Sequence, residues 1–374
     1  MKTQLDNPFL DQGYESPRYF CDREAETAGM ISALKNGRNL TLISPRRMGK
    51  TGLIKNVFYK LREQQPDTIT LYMDIFPTQN QSEFVALFAS TVLGQLDSAP
   101  QRAMSRIGKF IKSIRPVITL NELSGAPKVT IDISSTNEQA SLGEIFDYLA
   151  SADRPCYIAI DEFQQVADYP EKGLEAALRT HIQKLHNVHF IFSGSRQHVM
   201  QEMFVSAKRP FYHSTQLLHI APIDKGKYYE FAAGLFVPRR LPEEVFSHIY
   251  DTFEGHTWYI QAILNRLYSY SGQPDIAALQ RAVEQLVAEN TYYFENVLAA
   301  YPHGSVRLLK AIAREGVVRE INSGEFIARH RLKAASSVNA SLRKLLDKEL
   351  IYRSQEGYMV YDRFMAIWLR GLAY

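Results

Sequence analysis

At 374 residues, 45% apolar and 22% charged, the chain has the composition of an ordinary globular protein and too much length for one core, so two or three domains are expected. No apolar run reaches roughly 18 residues, and MKTQLDNPFLDQG at the start holds no signal-peptide core, which argues against a transmembrane helix, a leader and a membrane partner. Cys21 and Cys156 lie far apart in no metal-ligand spacing, which excludes a disulfide framework and a zinc site and fits a cytoplasmic location. The net charge of +3 divides unevenly. From Tyr301 onward 13 Lys and Arg stand against 7 Asp and Glu, a net of +6, which points either to an anionic partner or to ordinary surface scatter.

In chain order, AETAGMISALKNG (25–37) predicts a helix closed by Gly37, and NLTLIS (39–44) a buried strand. A turn and a helix over 49–63 follow, then a strand at ITLYMDI (69–75) and a helix over 82–96. This alternation predicts a parallel sheet covered by helices. Segments 116–120 and 128–133 flank the turn-rich NELSGAP and predict a hairpin inserted into the α/β domain. Alternation resumes with a helix over 142–150, a strand over 156–161, a helix over 174–185, a strand over 188–193 and a fifth strand over 216–220.

After Pro222 the β signal stops, and 225–236, 243–253, 257–270 and 276–298 all read as helices of a lid subdomain. Three further helical patterns (305–314, 323–331, 335–347) lead into alternating strands at 350–353 and 358–361, the order of a winged helix. The expected division is an α/β core over 1–222, a helical lid over 223–300 and a winged helix over 301–374.

Chemistry concentrates in two places. Ser44-Pro45-Arg46-Arg47-Met48-Gly49-Lys50-Thr51, followed by Gly52, joins a predicted strand to a predicted helix, the context that gives a phosphate-loop motif its meaning. Backbone N–H groups and the helix N-terminus cradle phosphate, Gly49 allows close approach, Lys50 reaches the β- and γ-phosphates, and Thr51 offers a hydroxyl to Mg²⁺. Ser44 stands where the pattern has its first glycine. The apolar run Tyr157–Ile160 then ends in Asp161-Glu162. There Asp161 would support the metal and Glu162 would activate the attacking water. Arg196, after the strand ending Ser193-Gly194-Ser195, is the expected reader of the γ-phosphate, because a guanidinium binds phosphate bidentately.

These strings resemble the archaeal-type ATPase family, in the STAND branch of P-loop ATPases related to AAA+ proteins. The resemblance rests on Asn7-Pro8-Phe9, Cys21-Asp22-Arg23-Glu24, the phosphate loop, Ile160–Phe163, Ser193–Arg196, Gly255–Ile260 and Tyr361–Arg370, and so spans nearly the whole chain. It implies a P-loop NTPase three-layer parallel-sheet core, a helical lid and a C-terminal winged helix, with Arg23 beside the adenine. Asp22 stands where the family usually has glycine, and Thr257 where it usually has the proline of a Gly-x-Pro string. His256, Trp258 and Tyr259 read as helix packing.

The expected activity is Mg²⁺-dependent binding and slow hydrolysis of ATP by a nucleotide-gated switch that exchanges ATP and ADP. The rival is a protein whose winged helix engages duplex DNA under ATP control. Ser336, Ser337 and Asn339 lie where bases are read, and Arg343, Lys344, Lys348 and Arg353 where phosphates are met. A protein partner or a second copy of the chain stays open beside DNA, and a nucleotide-bound scaffold that never hydrolyses is a third reading.

Overall fold

The computed structural model describes residues 5–96, 115–120, 127–132, 138–354 and 356–372. The chain divides into two compact units, Gln12–Tyr228 on one hand and Met1–Asp11 with Tyr229–Tyr374 on the other.

The first unit is built on five parallel strands, β1 (Leu40–Ile43), β2 (Ile69–Asp74), β5 (Cys156–Asp161), β6 (Val188–Gly194) and β7 (Gln216–His219), in the order β2-β5-β6-β1-β7. Every strand of this sheet thus presents its C-terminal end on the same edge, where ligands of open α/β sheets bind. Both faces are covered, and the strands show it by alternation. Phe190 and Phe192 enter a core with Phe84, Phe88, Phe146 and Phe163, while Ile191 between them enters the opposite core with Leu34, Leu53 and Val57. In β5, Ile158 and Ile160 take the first side and Tyr157 and Ala159 the second. A run buried on both faces therefore reads as continuously apolar, which is why it was visible in the sequence.

The inserted hairpin is present as β3 (Arg115–Leu120) paired antiparallel with β4 (Pro127–Asp132); its turn at 121–126, and residue 133, lie outside the described residues. Four of the described elements were not anticipated, the 3-10 helices Pro17–Tyr19 and Phe163–Asp168 and the α-helices Gln197–Val205 and Arg363–Gly371. Phe163–Asp168 and Gln197–Val205 follow directly on a strand of the site and set the direction of the residues at its end.

In the second unit Phe9 is fully buried against Phe236 and Tyr268, with centroids 5.1 and 5.8 Å away; Asn7 Nδ2 donates to the Asn265 carbonyl at 3.0 Å, and Asn265 Nδ2 to the Phe9 carbonyl at 2.7 Å. The N-terminal segment, expected in the α/β core, packs with residues 229–374 instead, because Phe9 finds its aromatic partners there. The helices Glu243–Thr252, Thr257–Ser269 and Ile276–Ala299 precede the three of the winged helix, His303–Glu315, Gly324–Arg329 and Ala335–Asp347. The wing pairs β8 (Ile351–Arg353) with β9 (Tyr358–Val360), and Val318 bridges to Tyr358 as a third strand position. At Gly357, φ is 146° and an added Cβ would lie 2.5 Å from the Val318 carbonyl oxygen, so only glycine fits.

A last helix, Arg363–Gly371, fastens this unit. The Arg363 N–H donates to the Tyr259 hydroxyl (3.0 Å), and its guanidinium reaches Glu254 (2.5 Å) and the Tyr352 hydroxyl (2.7 Å). Tyr259 meets Phe364 edge-on at 5.0 Å and Trp258 lies 5.8 Å from the same ring. Two strings singled out separately, Gly255–Ile260 and Tyr361–Arg370, thus pack against each other.

Candidate functional site

The strand order brings β1, β5 and β6 side by side, so the phosphate loop leaves the sheet beside the ends of the other two. The loop's turn is made at Arg47 (φ 69°) and Gly49 (φ 86°), and the helix Lys50–Gln64 begins at once. Ser44 carries no left-handed strain, which explains how serine serves where glycine is usual. Its hydroxyl, 2% exposed with the residue, turns back to the Pro45 carbonyl at 3.1 Å. Lys50 is buried, and its Nζ donates to the Ser44 and Pro45 carbonyls at 3.1 and 3.0 Å, so the ammonium lies inside the loop. Gly52, in the helix's first turn, leaves room for the Phe20 ring; an added Cβ would stand 3.3 Å from it.

Asp161 ends β5, and its carboxylate collects three donors. Thr51 Oγ1 donates to Oδ2 at 2.7 Å, the Tyr72 hydroxyl to the same oxygen at 2.8 Å, and the Glu162 N–H to Oδ1 at 3.0 Å. Burial, with the Asp161 charge adding to it, pushes the Tyr72 phenol well above its ordinary range, so it remains a donor. Thr51 and Asp161 are hard oxygen ligands side by side, the donor chemistry that Mg²⁺ takes. Among the described residues no group of three or more His, Cys, Asp or Glu is arranged to hold a metal by itself. The pair therefore fits a Mg²⁺ ion that completes its coordination from phosphates and water.

Glu162 sits in the left-handed region (φ 57°), held on one side by Phe163, which is buried 4.7 Å from Phe192. Its Oε2 accepts from Gln164 Nε2 at 2.5 Å and from Ser195 Oγ at 2.8 Å. Arg46 Nε in turn lies 3.2 Å from Ser195 Oγ. Arg196 pairs with Asp168, so it is Ser195, its neighbour, that touches the acidic pair. Arg23 is buried with φ 71°; its guanidinium binds Glu26 at 2.8 Å and reaches the Met48 carbonyl of the phosphate loop at 3.5 Å.

Sequence reading missed Asp74, the last residue of β2, which is in register with Asp161 on the neighbouring strand. Partial desolvation raises its carboxyl above the usual range, and the charges of Asp161 and Glu162 add to the shift. Three acidic residues, Asp74, Asp161 and Glu162, therefore share this strand edge. The only signal was an Asp closing an apolar strand, and its position depends on a strand order that no local pattern contains. Tyr72 was missed for the same reason, Gln164 because the 3-10 helix that carries it has no periodic signal, and Ser195 because charge points to Arg196 beside it.

Comparison with known proteins agrees with this architecture. The model of a family described as a probable winged helix domain matches residues 292–371. Among curated proteins no match is found. A Walker-type ATPase of Pyrococcus abyssi superposes with a TM-score of 0.66 at 19% identity, covering 97% of this chain and 99% of that one. The ORC2 protein of Aeropyrum pernix, solved in ADPNP–ADP complexes, follows at 0.63 and 14% identity, with 97% and 95% covered. The ORC1 protein of the same organism, solved in complex with DNA, gives 0.54 at 13% identity over 94% and 93%. The chain thus has the fold of an AAA+-like P-loop ATPase with a C-terminal winged helix, and the family resemblance is borne out at the level of fold.

Proposed function

We propose that this protein binds ATP with Mg²⁺ at Ser44–Thr51 and hydrolyses it slowly as a nucleotide-gated switch. The observation that carries the reading is the 2.7 Å bond between Thr51 and Asp161, which closes the phosphate loop onto the acidic strand. Lys50 exchanges the carbonyls of Ser44 and Pro45 for β- and γ-phosphate oxygens, stronger partners for an ammonium group. Thr51 and Asp161 would hold the Mg²⁺, which would supply positive charge to the phosphate groups. Glu162 takes a proton from the water that attacks the γ-phosphorus, as the bond to the β-phosphate oxygen breaks. Arg196 reads the γ-phosphate on leaving Asp168, and Arg23 steadies the loop from the Met48 side. Glu162→Gln should retain ATP affinity and lose turnover roughly a hundredfold or more, the size of a general-base contribution. Turnover equal to that of the unaltered protein would refute the assignment.

A second reading, DNA binding by the winged helix, is favoured by one observation. A cleft of about 530 Å³ between the helices His303–Glu315 and Ala335–Asp347 is lined by His303, Arg307, Lys310, Lys333, Ser337 and Ser341, with no carboxylate among its lining residues. Phosphate contacts there release counterions, so affinity for duplex should fall steeply with salt. Duplex affinity of the Glu162→Gln protein with Mg·ATP and with Mg·ADP, at two salt concentrations, tests it. Absence of binding in all four conditions would turn the search to a protein partner or a second copy.

A further inference from the structure

We propose that Arg46, Ser195 and Gln164 are positioning residues for Glu162 and link the phosphate loop to the water-activating carboxylate, an inference that rests on the role given to Glu162 above. The direction of the chain of bonds follows from chemistry. A guanidinium only donates, so at 3.2 Å the Arg46 N–H gives its proton to Ser195 Oγ. The serine has a single proton, and it goes to Glu162 Oε2, 2.8 Å away. Gln164 Nε2 donates to the same oxygen at 2.5 Å. One carboxylate oxygen thus holds two donors, and Oε1 is left to receive the proton of a water.

Gln164 is placed there at a cost that packing alone does not explain. The residue is 2% exposed, and its Oε1 has no hydrogen-bond partner. A buried amide with one end unpaired destabilises its surroundings. An apolar side chain would fill the space without that penalty, so the contact with Glu162 is the amide's use. The space itself depends on Gly194, because a Cβ there would stand 2.3 Å from Gln164 Oε1 and 2.6 Å from Met200 Sδ. Glu162, in a backbone conformation that glutamate resists, is therefore held from both sides by residues shaped to hold it. Since Arg46 belongs to the phosphate loop, a phosphate that draws its guanidinium alters what Ser195 offers to Glu162. Hydrolytic competence is in this way made conditional on how the loop is filled.

The test compares the unaltered protein with Ser195→Ala, Arg46→Met, their double variant and Gln164→Leu, reading kcat at saturating Mg·ATP and ATP affinity separately. Ser195→Ala should lower kcat about tenfold, the effect of one hydrogen bond to a charged group, with ATP affinity unchanged. The double variant should be no slower than Ser195→Ala, since the two residues act through one bond. Gln164→Leu should likewise lower kcat and leave ATP affinity as it was. An unchanged kcat in Ser195→Ala, or losses that add in the double variant, overturns the link. Absence of ATP hydrolysis in the unaltered protein would instead remove the role of Glu162. The link is then decided by crystal structures of the unaltered protein and Ser195→Ala: a Glu162 carboxylate displaced in the variant sustains it, and an unmoved one refutes it.

Discussion

Thr51 and Asp161, 110 residues apart in the chain, share a 2.7 Å hydrogen bond, with Tyr72 on the same carboxylate oxygen. The bond couples the first turn of the loop helix to the end of β5, so the pair proposed to hold Mg²⁺ is brought together by protein contacts. Removing the hydroxyl while keeping the shape isolates its part. Thr51→Val should fold and leave Tyr72 on Asp161, while the Mg²⁺ concentration needed for half-maximal nucleotide binding rises about tenfold, the value of one hydrogen bond to a charged group. Titration of Mg²⁺ at fixed ATP measures it.

Asp74 offers a pH test. Its carboxyl is raised in the folded protein, so between the ordinary value of 3.8 and its raised value the native state binds more protons than the unfolded chain. Stability from this residue is therefore lost as pH rises through that window. Asp74→Asn should melt higher than the unaltered protein at pH 7, and the difference should vanish as the pH falls below 3.8. Thermal unfolding across that range shows the sign directly.

Phe192 stands among Phe163, Phe204 and Phe211, with centroids 4.7, 5.3 and 5.1 Å away, and is itself fully buried. Phe192→Ala should cost about 3–5 kcal/mol and lower the melting temperature by roughly 10 °C. It should also weaken hydrolysis more than ATP binding, because Phe163, which anchors Glu162, loses its main partner.

In the wing, Gly357→Ala places a Cβ against the Val318 carbonyl at a φ of 146°. The two Val318–Tyr358 backbone bonds, 3.0 and 2.8 Å, should break, destabilising the second unit by about 1–3 kcal/mol. Hydrogen exchange at the Val318 and Tyr358 amides reports this, while nucleotide affinity stays as it was.

How much of this was legible depends on how local each feature is. The phosphate loop was readable because its chemistry needs contiguous residues between a strand and a helix, and Asp161-Glu162 because an apolar β5 points to it. The winged helix was readable from the order of its elements, and the hairpin from two β-prone runs around a turn. Asp74 and Tyr72 could not be found in the same way. Their places at the site follow from β2 lying beside β5 in the order β2-β5-β6-β1-β7, which sequence periodicity does not encode. Gln164 depends on the short 3-10 helix after β5, which is too brief to show a period. Charge points to Arg196 as the residue at the end of β6 that matters, whereas the guanidinium pairs with Asp168 and it is Ser195 that reaches Glu162. The N-terminal segment was assigned by proximity in the chain, and aromatic partners 227 to 259 residues away decide its location.

Gly194 has a consequence for how such sequences diverge. Because its missing side chain is the space that Gln164 and Met200 occupy, the two ends of this contact cannot drift independently. A relative with alanine at the position of Gly194 should carry something shorter than glutamine opposite it, and will then have had to find another way to steady its glutamate. The Ser193-Gly194-Ser195 string and position 164 form one evolutionary character, and a search that scores them separately will misjudge which distant homologues keep this contact.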